Sequence, residues 1–145
     1  MDVTPHIVVP DADAASLWYQ RAFSAREEGR VPLPGGRTMT VQLAIGHSRV
    51  HVGSEFREAG ILSALSIGGT ATVLQIGTDD ADSLWQQALA AGAEVNHPLA
   101  DQFWGERHGQ LTDPFGHHWN VAQHLRDVPP DELAAAAARA FATGD

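Results

Sequence analysis

The chain contains no cysteine, which excludes disulfides, a thiolate nucleophile and every Cys-ligated metal centre. Any metal would have to be held by His, Asp, Glu or neutral oxygen donors. Basic residues are scarce: nine Lys and Arg against eighteen Asp and Glu give a formal charge of -9, which repels phosphate backbones and anionic lipid surfaces. Neither nucleic acid nor membrane is expected as a partner. No apolar run approaches the ~20 residues of a membrane span, and the N-terminal MDVTPHIVV has no basic region or apolar run of signal-peptide length. A cytoplasmic protein is expected. Two catalytic devices are also missing: no Gly-x-Ser-x-Gly elbow presents a nucleophile, and no Gly-rich phosphate loop occurs.

What is present is an ordinary globular composition, 43% hydrophobic and 19% charged over 145 residues, long enough for one domain that buries roughly 70% of its unfolded surface. Two segments resemble each other, SLWYQRAFSA at 16–25 and SLWQQALAAG at 83–92. Each follows a short apolar run and an acidic stretch, HIVVPDADAA before the first and VLQIGTDDAD before the second. The pattern predicts a strand, a helix start supplied by Asp11 and Asp13 or by Asp79 and Asp80, and an amphipathic helix. Alternating RTMTVQLAI and RVHVG follow in the first half, and QLT and HHWNVAQH in the second. Between the latter two, Asp113, Pro114 and Gly116 occupy the first, second and fourth places of a type I turn. Each half therefore reads β-α-β-β, with one more strand expected in the intervening loop. A last segment, DVPPDELAAAAARAF, predicts a separate helix with Leu133, Ala137 and Phe141 on one face, suited to covering a sheet edge or a subunit contact.

Strand alternation sorts the side chains by face. Met39, Val41, Leu43 and Ile45 share one side, as do Val50 with Val52 and Trp119 with Val121; these faces are expected to pack on the helices together with Trp18 and Trp85. The opposite faces carry His6, Thr40, Gln42, His51, Gln75, His118 and Asn120. Any one of these has an ordinary structural explanation as a satisfied strand residue. As a group, neutral hydrogen-bonding residues on the second face suit a concave ligand pocket better than a solvent-washed surface.

The duplicated strand-helix-strand pattern, PHIVVPDADAASLWYQRAF near the start, DQFWGERHGQLTDPFGHHWNV at 101–121 and the helical PPDEL tail resemble the vicinal oxygen chelate superfamily, which includes glyoxalase I, extradiol dioxygenases and the bleomycin and mitomycin resistance proteins. Within it the chain is most similar to the PhnB-like branch. The resemblance implies an α+β fold: two β-α-β-β-β modules, about 1–58 and about 68–125, whose curled mixed sheets surround a cleft, with a C-terminal helix over about 129–142. It further implies a homodimer. The metal-dependent members take ligands from the first and last strand of each module, which maps onto Thr4, His51, Val73 and Asn120. Of these only His51 is a strong ligand, whereas a catalytic centre wants about three protein ligands plus water. A shift of two residues along each first strand gives His6, His51 and Gln75 instead, a set without a carboxylate.

In the resembling resistance proteins, aromatic residues stand against flat drug rings. Phe103 and Trp104 are the matching candidates here, each stacking contact contributing about 0.5–1.5 kcal/mol. Arg107 could hydrogen-bond ligand oxygens or form a rim pair with Glu106. Glu106 and Asp101 are the acids nearest the expected cleft mouth. The expectation is a protein that sequesters a small organic molecule, such as an antibiotic, through His6, Gln42, His51, Gln75, Phe103, Trp104, Arg107, His118 and Asn120, with no catalytic residue and no cofactor. The alternative is a metal-dependent lyase, isomerase or dioxygenase holding Zn, Ni, Mn or Fe at His6, His51 and Gln75. A scaffold or interaction module is the third reading, and it leaves the polar face without a purpose.

Overall fold

The computed structural model describes residues 1–142. Its order is β1 (His6–Val9), α1 (Ala12–Phe23), β2 (Arg26–Pro32), β3 (Thr38–Ile45) and β4 (Ser48–Ser54), then a crossover with the short α2 (Ala64–Ile67). The second half repeats the first: β5 (Val73–Gly77), α3 (Ala81–Ala90), β6 (Glu94–Asp101), β7 (Glu106–Thr112) and β8 (His118–His124), followed by α4 (Pro130–Phe141). The extra strand of each half is thus β2 and β6. Each half folds into a four-stranded sheet, ordered β1-β4-β3-β2 and β5-β8-β7-β6. The β1–β4 and β5–β8 pairs are parallel and the rest antiparallel, so both sheets are mixed and the fold is α+β.

The acidic helix starts act as N-caps. Asp11 accepts from the Asp13 amide at 3.1 Å, and Asp80 accepts from the Ser83 amide at 3.1 Å, each satisfying a donor that the first helical turn leaves unpaired. Ser54 Oγ at the end of β4 accepts from the Ala12 amide, which ties the start of α1 to the neighbouring strand.

One continuous core joins the halves. Ile7, Val9, Val41, Leu43, Val50 and Val52 from the first sheet and Leu111, Trp119 and Val121 from the second are buried with α1 and α3; each such side chain contributes about 1.5–3 kcal/mol by leaving water. α1 packs on α3 and also reaches across to the second half. Trp18 Nε1 donates to the Ala91 carbonyl at 2.7 Å, and the Phe23 and Trp119 rings lie 4.8 Å apart. α3 seats Trp85 directly on β7, where a Cβ at Gly109 would come within 2.7 Å of the indole. The type I turn forms as expected, the Gly116 amide donating to the Asp113 carbonyl.

Two expectations need correction. Met39 is 43% exposed, because the β2–β3 register shifts between Val31 and Pro32; Thr38 and Val41 keep the inner face and Met39 is the extra residue pushed outward. The C-terminal helix α4 buries none of its residues within this chain, so of its two expected roles the covering of a sheet edge is not seen. Among the described residues no helix is long and apolar enough to cross a membrane.

Candidate functional site

With one face of each sheet packed on the helices, alternation sends the intervening side chains to the open face. In the first sheet His6, His51 and Gln42 stand side by side across β1, β4 and β3. In the second, Gln75, Asn120 and Gln110 occupy the corresponding places on β5, β8 and β7. The duplicated sequence thus yields a His-His-Gln row and a Gln-Asn-Gln row. The register puts His6, not Thr4, opposite His51, and Gln75, not Val73, opposite Asn120.

These rows do not fit a divalent cation. The His6 and His51 rings are edge-on neighbours with centroids 4.4 Å apart, but the other two positions are neutral amides engaged with each other, Asn120 Nδ2 donating to Gln75 Oε1 at 3.3 Å. Among the described residues no cluster of three or more His, Asp or Glu could hold a metal ion. A cation placed on this set would keep its full charge with no carboxylate to offset it. Burial, reinforced by the neighbouring His6, pushes the His51 imidazole below its ordinary pKa, which favours its neutral form.

The amides of the second sheet form a ladder. Gln110 Nε2 donates to Asn120 Oδ1 at 3.1 Å, and Asn96 Nδ2 donates to Gln110 Oε1 at 3.0 Å. Asn96 also lies 3.1 Å from His118 Nδ1, which Thr112 Oγ1 approaches to 3.0 Å. Because Asn96 Nδ2 can only donate, the contact assigns His118 Nδ1 as the acceptor and the ring proton to Nε2. Side-chain dipoles therefore run without a break from β5 to β6. Each can exchange its partner for a ligand group at modest cost, since a hydrogen bond replaces a hydrogen bond.

An aromatic group stands beside the ladder at the β6–β7 turn. Trp104 packs edge-on against Phe103 at 5.0 Å and His108 at 5.2 Å, and its Nε1 donates to Glu106 Oε1 at 2.7 Å. The turn is clamped: Gly105 has φ 88°, and any Cβ there would collide with the Arg126 carbonyl. The Gly105 carbonyl accepts from the Leu125 and Arg126 amides. The Trp104 indole is thus held by packing and by one hydrogen bond at its edge. Burial lowers the His108 pKa, against an opposing pull from Glu106.

Of the expected site residues, Arg107 is placed elsewhere. Alternation in β7 turns it to the helix side, where it pairs with Asp82 at the start of α3 at 2.9 Å and with Asp101 at 3.1 Å. It does not pair with Glu106, whose carboxylate accepts from Trp104. Asn96, Gln110, Thr112 and His108 were missed by sequence reasoning. Alternation of Glu106, His108, Gln110 and Thr112 against Arg107, Gly109 and Leu111 carries the signal for three of them once the strand is started at 106. Asn96 lies within the register shift between Val95 and His97 in β6, where alternation gives no guide.

β1 and β5 are edge strands of their sheets, and residues of both line the seam between the halves. A half-open cavity of about 190 Å³ at this seam is lined by His6 and His118, and a larger groove of about 760 Å³ is lined by Thr4 and Gln75. No buried side-chain polar atom in the described residues lacks a partner.

Comparison with known proteins agrees with this architecture. The Glyoxalase/Bleomycin resistance protein/Dioxygenase superfamily matches residues 3–121. The uncharacterized protein Rv0887c of Mycobacterium tuberculosis is 40% identical over 137 residues, covering 92% of this chain and 81% of that protein. Among solved structures, TioX from Micromonospora sp. ML1 superposes with a TM-score of 0.69 at 28% identity, covering 86% of this chain and 99% of that one. A bleomycin resistance determinant encoded on the transposon Tn5 superposes with a TM-score of 0.62 at 19% identity, covering 86% and 98%, a likeness of fold alone. The chain belongs to the Glyoxalase/Bleomycin resistance protein/Dioxygenase superfamily.

Proposed function

We propose that this protein binds a small organic molecule and sequesters it without metal and without chemistry, as a cytoplasmic homodimer; an antibiotic is a natural candidate for the ligand. The observation that carries the reading is the neutral ladder Gln75–Asn120–Gln110–Asn96–His118 next to Trp104. It offers many weak dipoles and a flat ring, the combination that orients a planar polar ligand, and the one carboxylate beside it, Glu106, is engaged by Trp104 Nε1. On the first sheet His6, His51 and Gln42 add donors and acceptors of the same neutral kind. On the FWGERHG and TDPFGH segments we place the chain in the PhnB-like branch.

The competing reading, a metal-dependent lyase, isomerase or dioxygenase with Zn, Ni, Mn or Fe on His6, His51 and Gln75, is favoured only by the closeness of the two imidazoles. A thermal-shift screen of the full-length protein against aromatic natural products and against each of these metals separates the two, because whatever binds the native state raises the midpoint by mass action. Binding without chemistry predicts organic hits weakened by Trp104→Ala and no metal hit. A metal hit that His51→Ala removes would establish the enzyme reading instead.

A further inference from the structure

The seam cavity combines features that the open faces do not. Its walls are mainly apolar, Val8 and Leu74 coming from the two edge strands and Leu62 and Ile67 from the crossover between the halves, with Thr70 and Thr72 at the polar margin. That crossover exposes Ile61, Leu62, Leu65 and Ile67, the last at 63%. It is nonetheless held in place. Ser63 caps α2 by accepting from the Ser66 amide, its own amide donates to Glu55 Oε1 at 2.8 Å, and a Cβ at Gly116 would touch Ala64 and Leu65 at 3.3 Å. Large apolar side chains fixed in the open, around a hollow, mark a place where something apolar is received.

We propose that this cavity is a subsite for a single six-membered aromatic ring, with a hydroxyl or amide-type substituent of that ring hydrogen-bonded by His6 and His118. The volume fits: a dry cavity of about 150 Å³ lined by Leu, Ile and Phe accepts benzene, and this one measures about 190 Å³. The polar end fits as well. His118 Nδ1 is occupied by Asn96 and Thr112, which leaves Nε2–H as a donor, whereas His117 is already spent on the Val8 carbonyl at 2.8 Å. Because His6 and His118 also belong to the two open faces, the seam is the apolar end of the binding surface. The proposal rests on the small-molecule reading above and adds the ligand class: a flat hydrogen-bonding body carrying one compact ring as a side arm.

Phenol, as the bare ring with one hydroxyl, is the probe. Titrated into isotope-labelled full-length protein and followed by amide resonances, it is expected to produce saturable shifts at Val8, Leu74 and His118. Ile67→Trp, at an exposed position, places an indole over the hollow and weakens phenol by at least about tenfold, a change of about 1.4 kcal/mol; Leu62→Ala, which removes a wall, weakens it in the same direction. Absence of saturable seam shifts, or shifts equally strong in Ile67→Trp and Leu62→Ala, overturns the subsite. Shifts confined to Gln110 and Asn120 overturn the subsite while leaving the ladder reading intact. Saturable seam occupancy, with no screened natural product engaging Trp104, upholds the subsite and removes the sequestration reading.

Discussion

Tyr19 on α1 donates its hydroxyl proton to the buried carboxylate of Asp113 at the β7–β8 turn, so a helix of the first half is tied to a turn of the second. The same carboxylate accepts from Trp119 Nε1 at 2.9 Å and from the Phe115 and His117 amides at 2.9 and 3.0 Å. Since His117 in turn bonds the Val8 carbonyl, Asp113 sets how the two sheets abut and hence where His118 stands relative to His6.

Asp113→Ala leaves these four donors without their acceptor. A buried unsatisfied donor costs about 1–3 kcal/mol, and water entering the gap will satisfy some of them, so the expected loss is about 3–5 kcal/mol in a urea titration. A loss below about 1 kcal/mol would show that the carboxylate is not the tie described.

Tyr19 is the only tyrosine in the chain, which makes its ionisation a clean reporter. Burial first, then the charge of Asp113, raises its pKa well above the ordinary value. The stability tied to this group is fully present below about pH 10 and is lost as pH rises through the folded value. Tyrosinate absorbance is therefore expected to appear together with loss of the far-ultraviolet circular dichroism signal. Ionisation of Tyr19 at ordinary pH with the fold intact would contradict the burial.

His51 works in the opposite direction. Its folded pKa is depressed by burial and by His6, so the unfolded chain binds the additional proton. The stability it contributes is present above about pH 6.5 and is lost as pH falls through the folded value. His108 acts in the same sense. The urea midpoint is expected to be flat between about pH 7 and 8 and to decline below about pH 6.5, with a shallower decline in His51→Gln. Identical slopes in variant and parent would assign the acid sensitivity to other groups.

Gly109→Ala tests the seating of α3. The added methyl would meet Trp85 at 2.7 Å and the Leu99 backbone at 2.9 Å, and overpacking of this kind costs about 1–3 kcal/mol. Trp85→Leu in the same background should recover part of the loss, which a purely local effect of alanine on the strand would not allow.

Much of this architecture was legible in the residues, and the reasons are physical. Asp11 and Asp80 cap their helices because a short carboxylate is the acceptor that a first helical turn lacks, and Val41, Leu43, Val50 and Val52 alternate because one sheet face is buried. Alternation also placed His6, Gln42, His51, Gln75 and Asn120 on the open faces. It failed where the chain departs from strict pairing: Met39 is expelled by a bulge, and Asn96 enters the ladder from a strand with irregular register. Arg107 reads from sequence as a ligand or rim residue, and only the strand beginning at Glu106 shows that it faces α3. The joining of the halves through Tyr19 and Asp113 links positions far apart in sequence, for which local periodicity carries no signal.

The central claim is that the rows His6–His51–Gln42 and Gln75–Asn120–Gln110 hold a ligand by neutral dipoles and not through an ion. Elemental analysis of protein purified without chelators and then dialysed against Zn, Ni, Mn or Fe tests this most directly. The account predicts far less than one bound ion per chain for every metal, unchanged by His51→Ala. One tightly retained divalent ion per chain, lost in His51→Ala, would contradict it.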